Sequence, residues 1–249
     1  QLSPQDTPHY GKLSLQMGTS LSSMGELDDA VLCFETAAQE AAQRHKEATS
    51  AQAQQKTQKD LALAHYNLHQ VFLRQGALER ALTSLKEASR LDPSEYMPFN
   101  MGIYDTQRVL GAGGMGCAFL CQHALSKKHV VVKTFWKAKE GKLHEVFSEA
   151  FKMQEADPEG VFIPRPLDIG YGDPIYNRRP FLVMEYVEGS LDGEQYLEKY
   201  GPLPFHEGVR LGARVAEALE RAHARNICHF DLKPANLLFY KEGRDWMVK

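Results

Sequence analysis

Residues 104–135 read YDTQRVLGAGGMGCAFLCQHALSKKHVVVKTF, and apolar and polar residues alternate on both sides of a glycine cluster. That alternation predicts two strands joined by a flexible turn. Gly111, Gly113, Gly114 and Gly116 are expected to let the backbone approach phosphate groups with no Cβ in the way, at φ angles that other residues avoid. The spacing G-x-G-x-x-G also occurs in dinucleotide-binding folds, but those need a helix directly after the glycines and an acidic residue about 20 positions on. Here a strand-like run follows and ends at Lys133. A lysine flanked by β-branched residues is expected to send its ammonium out of a buried strand, toward phosphate.

The next segments extend this reading. An ammonium at Lys133 needs an anionic partner, and EVFSEAFKM, residues 145–153, offers Glu149 on a helix, with Glu145 one turn earlier as the competing choice. RRPFLVMEYVEGSL, residues 178–191, reads as an apolar strand running into Met184, Glu185, Tyr186 and Val187. PFHEGVRLGARVAEALERAHARN, residues 204–226, carries two apolar stripes, Val209, Gly212, Ala216 and Leu219 beside Leu211, Val215, Ala218 and Ala222, which predict a helix buried on both. That helix delivers the chain to HFDLKPANLLF, residues 229–239, where an aspartate, a lysine and an asparagine stand close together.

In this order the motifs resemble those of eukaryotic-like protein kinases, and the GAGGMG wording is similar to the bacterial serine/threonine branch. The resemblance implies an ATP site. Leu110, Gly111, Gly113, Gly114, Gly116 and Ala118 would cover the nucleotide, Lys133 would meet its α- and β-phosphates, and Glu149 would hold Lys133. Met184 would guard the back pocket while Glu185 and Val187 lie on the hinge that reads adenine through backbone groups. Asp231 would orient the substrate hydroxyl and accept its proton, Lys233 would neutralise charge on the transferring phosphoryl, and Asn236 would ligate Mg2+. His229 is expected to pack structurally rather than act as a base.

Two residues depart from the family pattern. Phe230 stands where an arginine would pair with a phosphate on the activation loop, which puts activation by loop phosphorylation in doubt. Ala118 replaces a valine over the adenine and trims apolar contact. YKEGRDWMVK, residues 240–249, reads as the hairpin before the Asp-Phe-Gly magnesium motif, expected just past Lys249; Asp245 lies too close to Asn236 to substitute. The chain is thus expected to be a piece of a longer kinase, and a piece that does not turn over.

Toward the N-terminus, Gly25 and Gly76 align two copies of a helix, a glycine turn and a second helix. In the second copy Leu68, Phe72, Gly76, Leu78, Ala81, Leu85, Ala88 and Pro93 resemble the packing positions of a tetratricopeptide repeat of about 34 residues. The first copy matches through Met17, Gly18, Leu21, Gly25, Ala30, Phe34 and Ala37. His69 replaces an expected small residue and should loosen the packing slightly. Residues 44–60, rich in Gln, Lys and Ala, are expected to lengthen the flanking helices. The resemblance implies a surface that recruits a peptide or protein ligand; the plainer reading is a helical spacer. His65 and His69 have a chelating spacing without a third ligand nearby. LDPSEYMPFNMG, residues 91–102, with two prolines, marks the boundary.

Bulk properties set the limits. At 249 residues two domains are expected. A formal charge of −3, with 43% hydrophobic residues, gives no pull toward nucleic acid or acidic membranes. No window approaches the roughly 18 apolar residues of a membrane span, no signal layout opens the chain, and the four scattered cysteines form no CxxC pair. A cytoplasmic protein with reduced, mostly buried thiols is expected. Because the chain begins with Gln1 and ends abruptly, segments beyond either end are left open.

The expected fold class is α+β: all-α helical repeats over residues 1–95, with repeats at about 11–44 and 62–95, then a kinase-like domain over 96–249. Its N-lobe, about 102–187, is an antiparallel sheet plus one helix, and a helical C-lobe begins at 188. The expected function is ATP- and Mg2+-dependent phosphorylation of serine or threonine hydroxyls on protein substrates. Two alternatives are a pseudokinase scaffold, favoured by Phe230 but opposed by intact Lys133, Asp231, Lys233 and Asn236, and a small-molecule kinase, which lacks GAGGMG and DLKPAN together.

Overall fold

The computed structural model describes residues 10–114, 116–136 and 143–249, with the side chains of 143–146, 149, 150 and 153 outside that description. Five helices come first: α1 (Tyr10–Met24), α2 (Leu27–Glu47), α3 (Ala51–Arg74), α4 (Leu78–Leu91) and the short α5 (Pro93–Tyr96). α1 and α3 end alike. Gly25 (φ 92°) and Gly76 (φ 72°) adopt left-handed backbone, and the amides after them reach five residues back, Glu26 to the Leu21 carbonyl and Ala77 to that of Phe72. A glycine without a Cβ terminates each helix this way and satisfies carbonyls that the helix leaves open.

Ala30 with Ala81, Phe34 with Leu85, and Ala37 with Ala88 occupy equivalent places in the two copies, and all six are buried. Gly18 is small because a Cβ there would run into the Phe34 ring. Two expected packing residues depart: Met17 is 55% exposed, on a helix that packs chiefly on α2 among the described residues, and Pro93 is exposed as well. Residues 44–60 do enter helices, with α2 reaching Glu47 and α3 beginning at Ala51 behind a Ser50 cap. His69 does not loosen the packing. It is 1% exposed and its Nδ1 donates to the Ala81 carbonyl at 2.9 Å, so a polar ring fills the site with its hydrogen bond made.

Strands follow: β1 (Tyr104–Ala112), β2 (Gly116–His123) and β3 (His129–Phe135), then α6 (Leu143–Ala156), β4 (Pro166–Asp173) and β5 (Arg178–Glu185), in a five-stranded sheet ordered β1-β2-β3-β5-β4. β1 and β2 pair antiparallel with two register shifts. The chain continues through β6 (Leu191–Asp192), α7 (Gly193–Tyr200), α8 (Phe205–His223), a 3-10 turn at Pro234–Asn236, β7 (Leu238–Glu242) and β8 (Asp245–Val248). The last three strands form a second sheet, β6-β7-β8.

Among the described residues, those within 10–127, 134–136 and 170–181 make one compact unit, and those within 128–133, 143–169 and 182–249 a second. In the first, Phe99 is fully buried against Tyr104, Phe119 and Phe181. Arg179 donates to the carbonyls of Met97, Glu95 and Ser94 at 2.9–3.0 Å, satisfying acceptors that the end of α5 exposes. In the second, Tyr196, Leu211, Phe239 and Val248 form the core. Asp157, 4% exposed, accepts the amides of Val161, Phe162 and Ile163. Arg214 and Arg221 cover the Phe162 ring.

The expectation that α8 buries both apolar stripes is corrected. Leu211 and Ala222 are buried, whereas Val209 is 57% exposed and Gly212 and Ala216 are also exposed. Among the described residues only one face of α8 meets the core, so the second stripe stays at the surface.

Burial lowers the His69 pKa from 6.5 to about 4. The unfolded chain therefore takes up the proton first as pH falls, so stability is full above pH 6.5 and declines between 6.5 and about 4. The loss over that window is expected to be on the order of 3 kcal/mol. Urea titrations from pH 7 to 4 check it: His69→Asn, which keeps a donor but cannot titrate, should show a visibly shallower dependence.

Candidate active site

The glycine stretch closes on itself in the first unit: the Gly113 amide donates to the Gly116 carbonyl at 2.9 Å, and the Gly116 amide returns to that of Gly113 at 3.3 Å. Gly111, Gly113 and Gly114 have open space where a Cβ would go. The expected unusual φ angles are not found, since none of the four glycines has left-handed backbone. Gly116 is required for another reason: a Cβ there would collide with the Thr134 carbonyl on β3. The Thr134 hydroxyl donates to the Cys117 carbonyl at 3.2 Å, so β2 and β3 meet there backbone to backbone. Leu110 and Ala118 flank the turn, both half-buried.

Lys133, Met184, Glu185, Val187 and the 229–239 segment belong to the second unit. On β3 burial alternates, with Val130, Val132 and Thr134 on the buried face and Lys133 beside Val131 on the half-buried one. The expected pairing of Lys133 with Glu149 or Glu145 falls on side chains outside the described residues. Met184 is half-buried and Val187 buried. The Glu185 amide donates to the Arg165 carbonyl at 2.8 Å, while its carboxylate takes the Lys249 ammonium at 2.8 Å and accepts the Arg165 amide at 3.2 Å, with the Arg165 guanidinium Nε 3.8 Å away. Neither partner was legible in sequence, because both contacts close long loops.

Asp231, Lys233 and Asn236 are brought together. The Lys233 ammonium lies 2.9 Å from Asp231 Oδ2, and the Asn236 amide donates to the Asp231 carbonyl at 2.8 Å and to Oδ2 at 3.2 Å. The segment is supported from below: α7 starts so close to the 3-10 turn that a Cβ at Gly193 would strike the Pro234 carbonyl, and Asp192 and Gln195 form a capping box there. Leu191 and Asp192 pair with Phe239 and Leu238. The hydrogen bond from Lys233 holds the Asp231 carboxyl below the usual carboxylate range, with the Lys233 charge and Asn236 adding to it. Asp231 is thus ionised at neutral pH, one oxygen fixed and the other able to accept from a hydroxyl. With its nitrogen turned to Asp231, Asn236 keeps Oδ1 as a hard oxygen donor suited to Mg2+.

His229 is corrected from a packing residue: it is exposed, and its Nδ1 accepts the Asp231 amide at 3.3 Å. Phe230 is 94% exposed in left-handed backbone, φ 57°. Among the described residues no cluster of three or more His, Cys, Asp or Glu could hold a metal ion. None of their helices is long and apolar enough to cross a membrane.

Residues 104–249 match the protein kinase domain family, and the chain belongs to that family. It is 32% identical over 148 residues to the serine/threonine-protein kinase PknH of Mycobacterium bovis, covering 59% of this chain and 24% of that protein. It is 30% identical over 147 residues to the serine/threonine-protein kinase PrkC of Bacillus subtilis, covering 57% and 21%. The chain thus spans about a quarter or less of the length of these relatives. The crystal structure of the Mycobacterium tuberculosis PknI kinase domain aligns with 25% identity and a TM-score of 0.46, over 59% of this chain and 57% of that one.

The two kinds of glycine are separable by stability. Gly116→Ala should cost about 1–3 kcal/mol through the clash with β3, whereas Gly111→Ala, with open space around it, should stay within about 0.5 kcal/mol. Chemical denaturation of the two variants checks this.

Proposed function

We propose that this chain carries the nucleotide-binding and catalytic-loop elements of an ATP-dependent serine/threonine protein kinase. The observation that carries the reading is the hydrogen-bonded cluster of Asp231, Lys233 and Asn236. Asp231 accepts the hydrogen bond of a protein hydroxyl and takes its proton as the oxygen attacks the γ-phosphorus of ATP and the bond from that phosphorus to the bridging oxygen breaks, so that ADP leaves. Lys233, already beside that carboxylate, neutralises charge on the phosphoryl group in transfer, and Asn236 offers Oδ1 to the cation. Bound Mg2+ would supply the positive charge that offsets the phosphates. Lys133 meets the α- and β-phosphates with Glu149 as its partner, the glycine turn with Leu110 and Ala118 covers the nucleotide, and Met184, Glu185 and Val187 line the adenine side.

The helical region serves as a tetratricopeptide-type module that recruits a peptide or protein partner. The repeated glycine terminations and the equivalent buried pairs support this. A cytoplasmic setting fits a reaction that consumes ATP.

Transfer of labelled phosphate from ATP to protein, with the complete gene product, tests the reading. Lys133→Met should abolish transfer. Asp231→Asn should lower turnover roughly 10²-fold or more with nucleotide affinity nearly unchanged. A second reading, a nucleotide-binding scaffold, is favoured by Phe230, whose exposed ring cannot pair with a phosphate; binding without transfer would select it. If the kinase is active, phosphatase treatment should leave its rate intact, and a large drop would restore loop phosphorylation as its control.

A further inference from the structure

Trp136 follows β3 directly, and its indole Nε1 donates to the Gly113 carbonyl at 2.8 Å. That carbonyl also accepts the Gly116 amide, so the indole holds the closing point of the glycine turn. On its other side the Trp136 ring lies 6.4 Å from the His69 imidazole, tilted by 56°. His69 is anchored on α3 by its bond to the Ala81 carbonyl at the start of α4. The turn is thereby referenced to the helical region as well as to its own strands, and every member of this chain of contacts lies in the first unit.

The turn needs such a hold. Gly113 and Gly114 are exposed with open space around them, and glycines lose more backbone freedom on ordering than other residues. A loop ordered before the ligand arrives binds phosphate without bearing that cost during binding. We propose that Trp136 is a positioning residue for nucleotide binding, which fixes the glycine turn through the Gly113 carbonyl and takes its own place from His69, so that the helical region sets the geometry of the turn. This rests on the kinase reading above. The effect falls on nucleotide affinity and leaves the chemical step alone, because neither side chain belongs to the Asp231 cluster.

The experiment uses the complete protein and an ATP analogue with Mg2+. Trp136→Phe keeps a ring and removes the donor; it should raise the nucleotide Kd about three- to tenfold, the size of one hydrogen bond, with kcat and thermal midpoint nearly unchanged. His69→Asn, which keeps a donor toward Ala81 but removes the ring under Trp136, should shift Kd the same way, and the double variant should be no worse than the larger single one. The part of the tryptophan emission that Trp136→Phe removes should change on adding nucleotide. An unchanged Kd in Trp136→Phe, a fall in kcat at constant Kd, additive effects in the double variant, or silent emission would each overturn the proposal. Failure of the native protein to bind nucleotide would instead overturn the kinase reading, and this inference with it.

Discussion

The first unit depends on the burial of Phe99. This residue lies between the last helix and the first strand and has no exposed surface. Its ring meets Phe119 at 5.5 Å, Phe181 at 6.0 Å and Tyr104 at 6.5 Å. Burying one phenyl group contributes about 2–3 kcal/mol, and edge-on ring pairs add to that. Arg179 reinforces the junction: it holds three carbonyls from the end of the helical region while adopting left-handed backbone itself, a strain of about 1–2 kcal/mol that three charge-assisted hydrogen bonds offset.

In the second unit the corresponding constraint is the ring cluster beside the segment that carries Asp231, Lys233 and Asn236. Tyr196 stacks on Phe239 and meets Trp246 edge-on, each at 4.8 Å. With Phe239 on β7 stacked on Tyr196 of α7 and Gly193 of α7 against Pro234, the turn at Pro234–Asn236 is packed on α7 and tied into the second sheet. The polar residues on that turn can then be exposed and still keep defined geometry. Asp231 and Lys233 are each about half exposed, so their mutual attraction is screened and adds little stability. Its consequence is orientation.

Much of this was legible in the chain. The glycine turn between strands, the lysine on the third strand, the apolar strand ending at Glu185 and the Asp231 to Asn236 spacing all depend on residues near one another in sequence. Local periodicity and turn chemistry therefore report them. The reason for each residue was less legible. Gly116 is small because a distant carbonyl sits against it, not because of its φ. His229 turns outward, since its ring serves the neighbouring amide. One stripe of α8 is exposed because an apolar pattern states which face can be buried, not what is present to bury it.

The sequence by itself determined the order of elements, the two helix-turn-helix copies and the close spacing of Asp231, Lys233 and Asn236, since these follow from backbone propensity, glycine positions and residues near one another in the chain. Tertiary structure alone decided which groups share a unit and who touches whom: Arg179 on the end of the helices, Lys249 on Glu185, Trp136 on the Gly113 carbonyl. Such contacts join residues tens of positions apart. They are selected by packing and by the need of buried polar atoms for partners, and no local pattern encodes them.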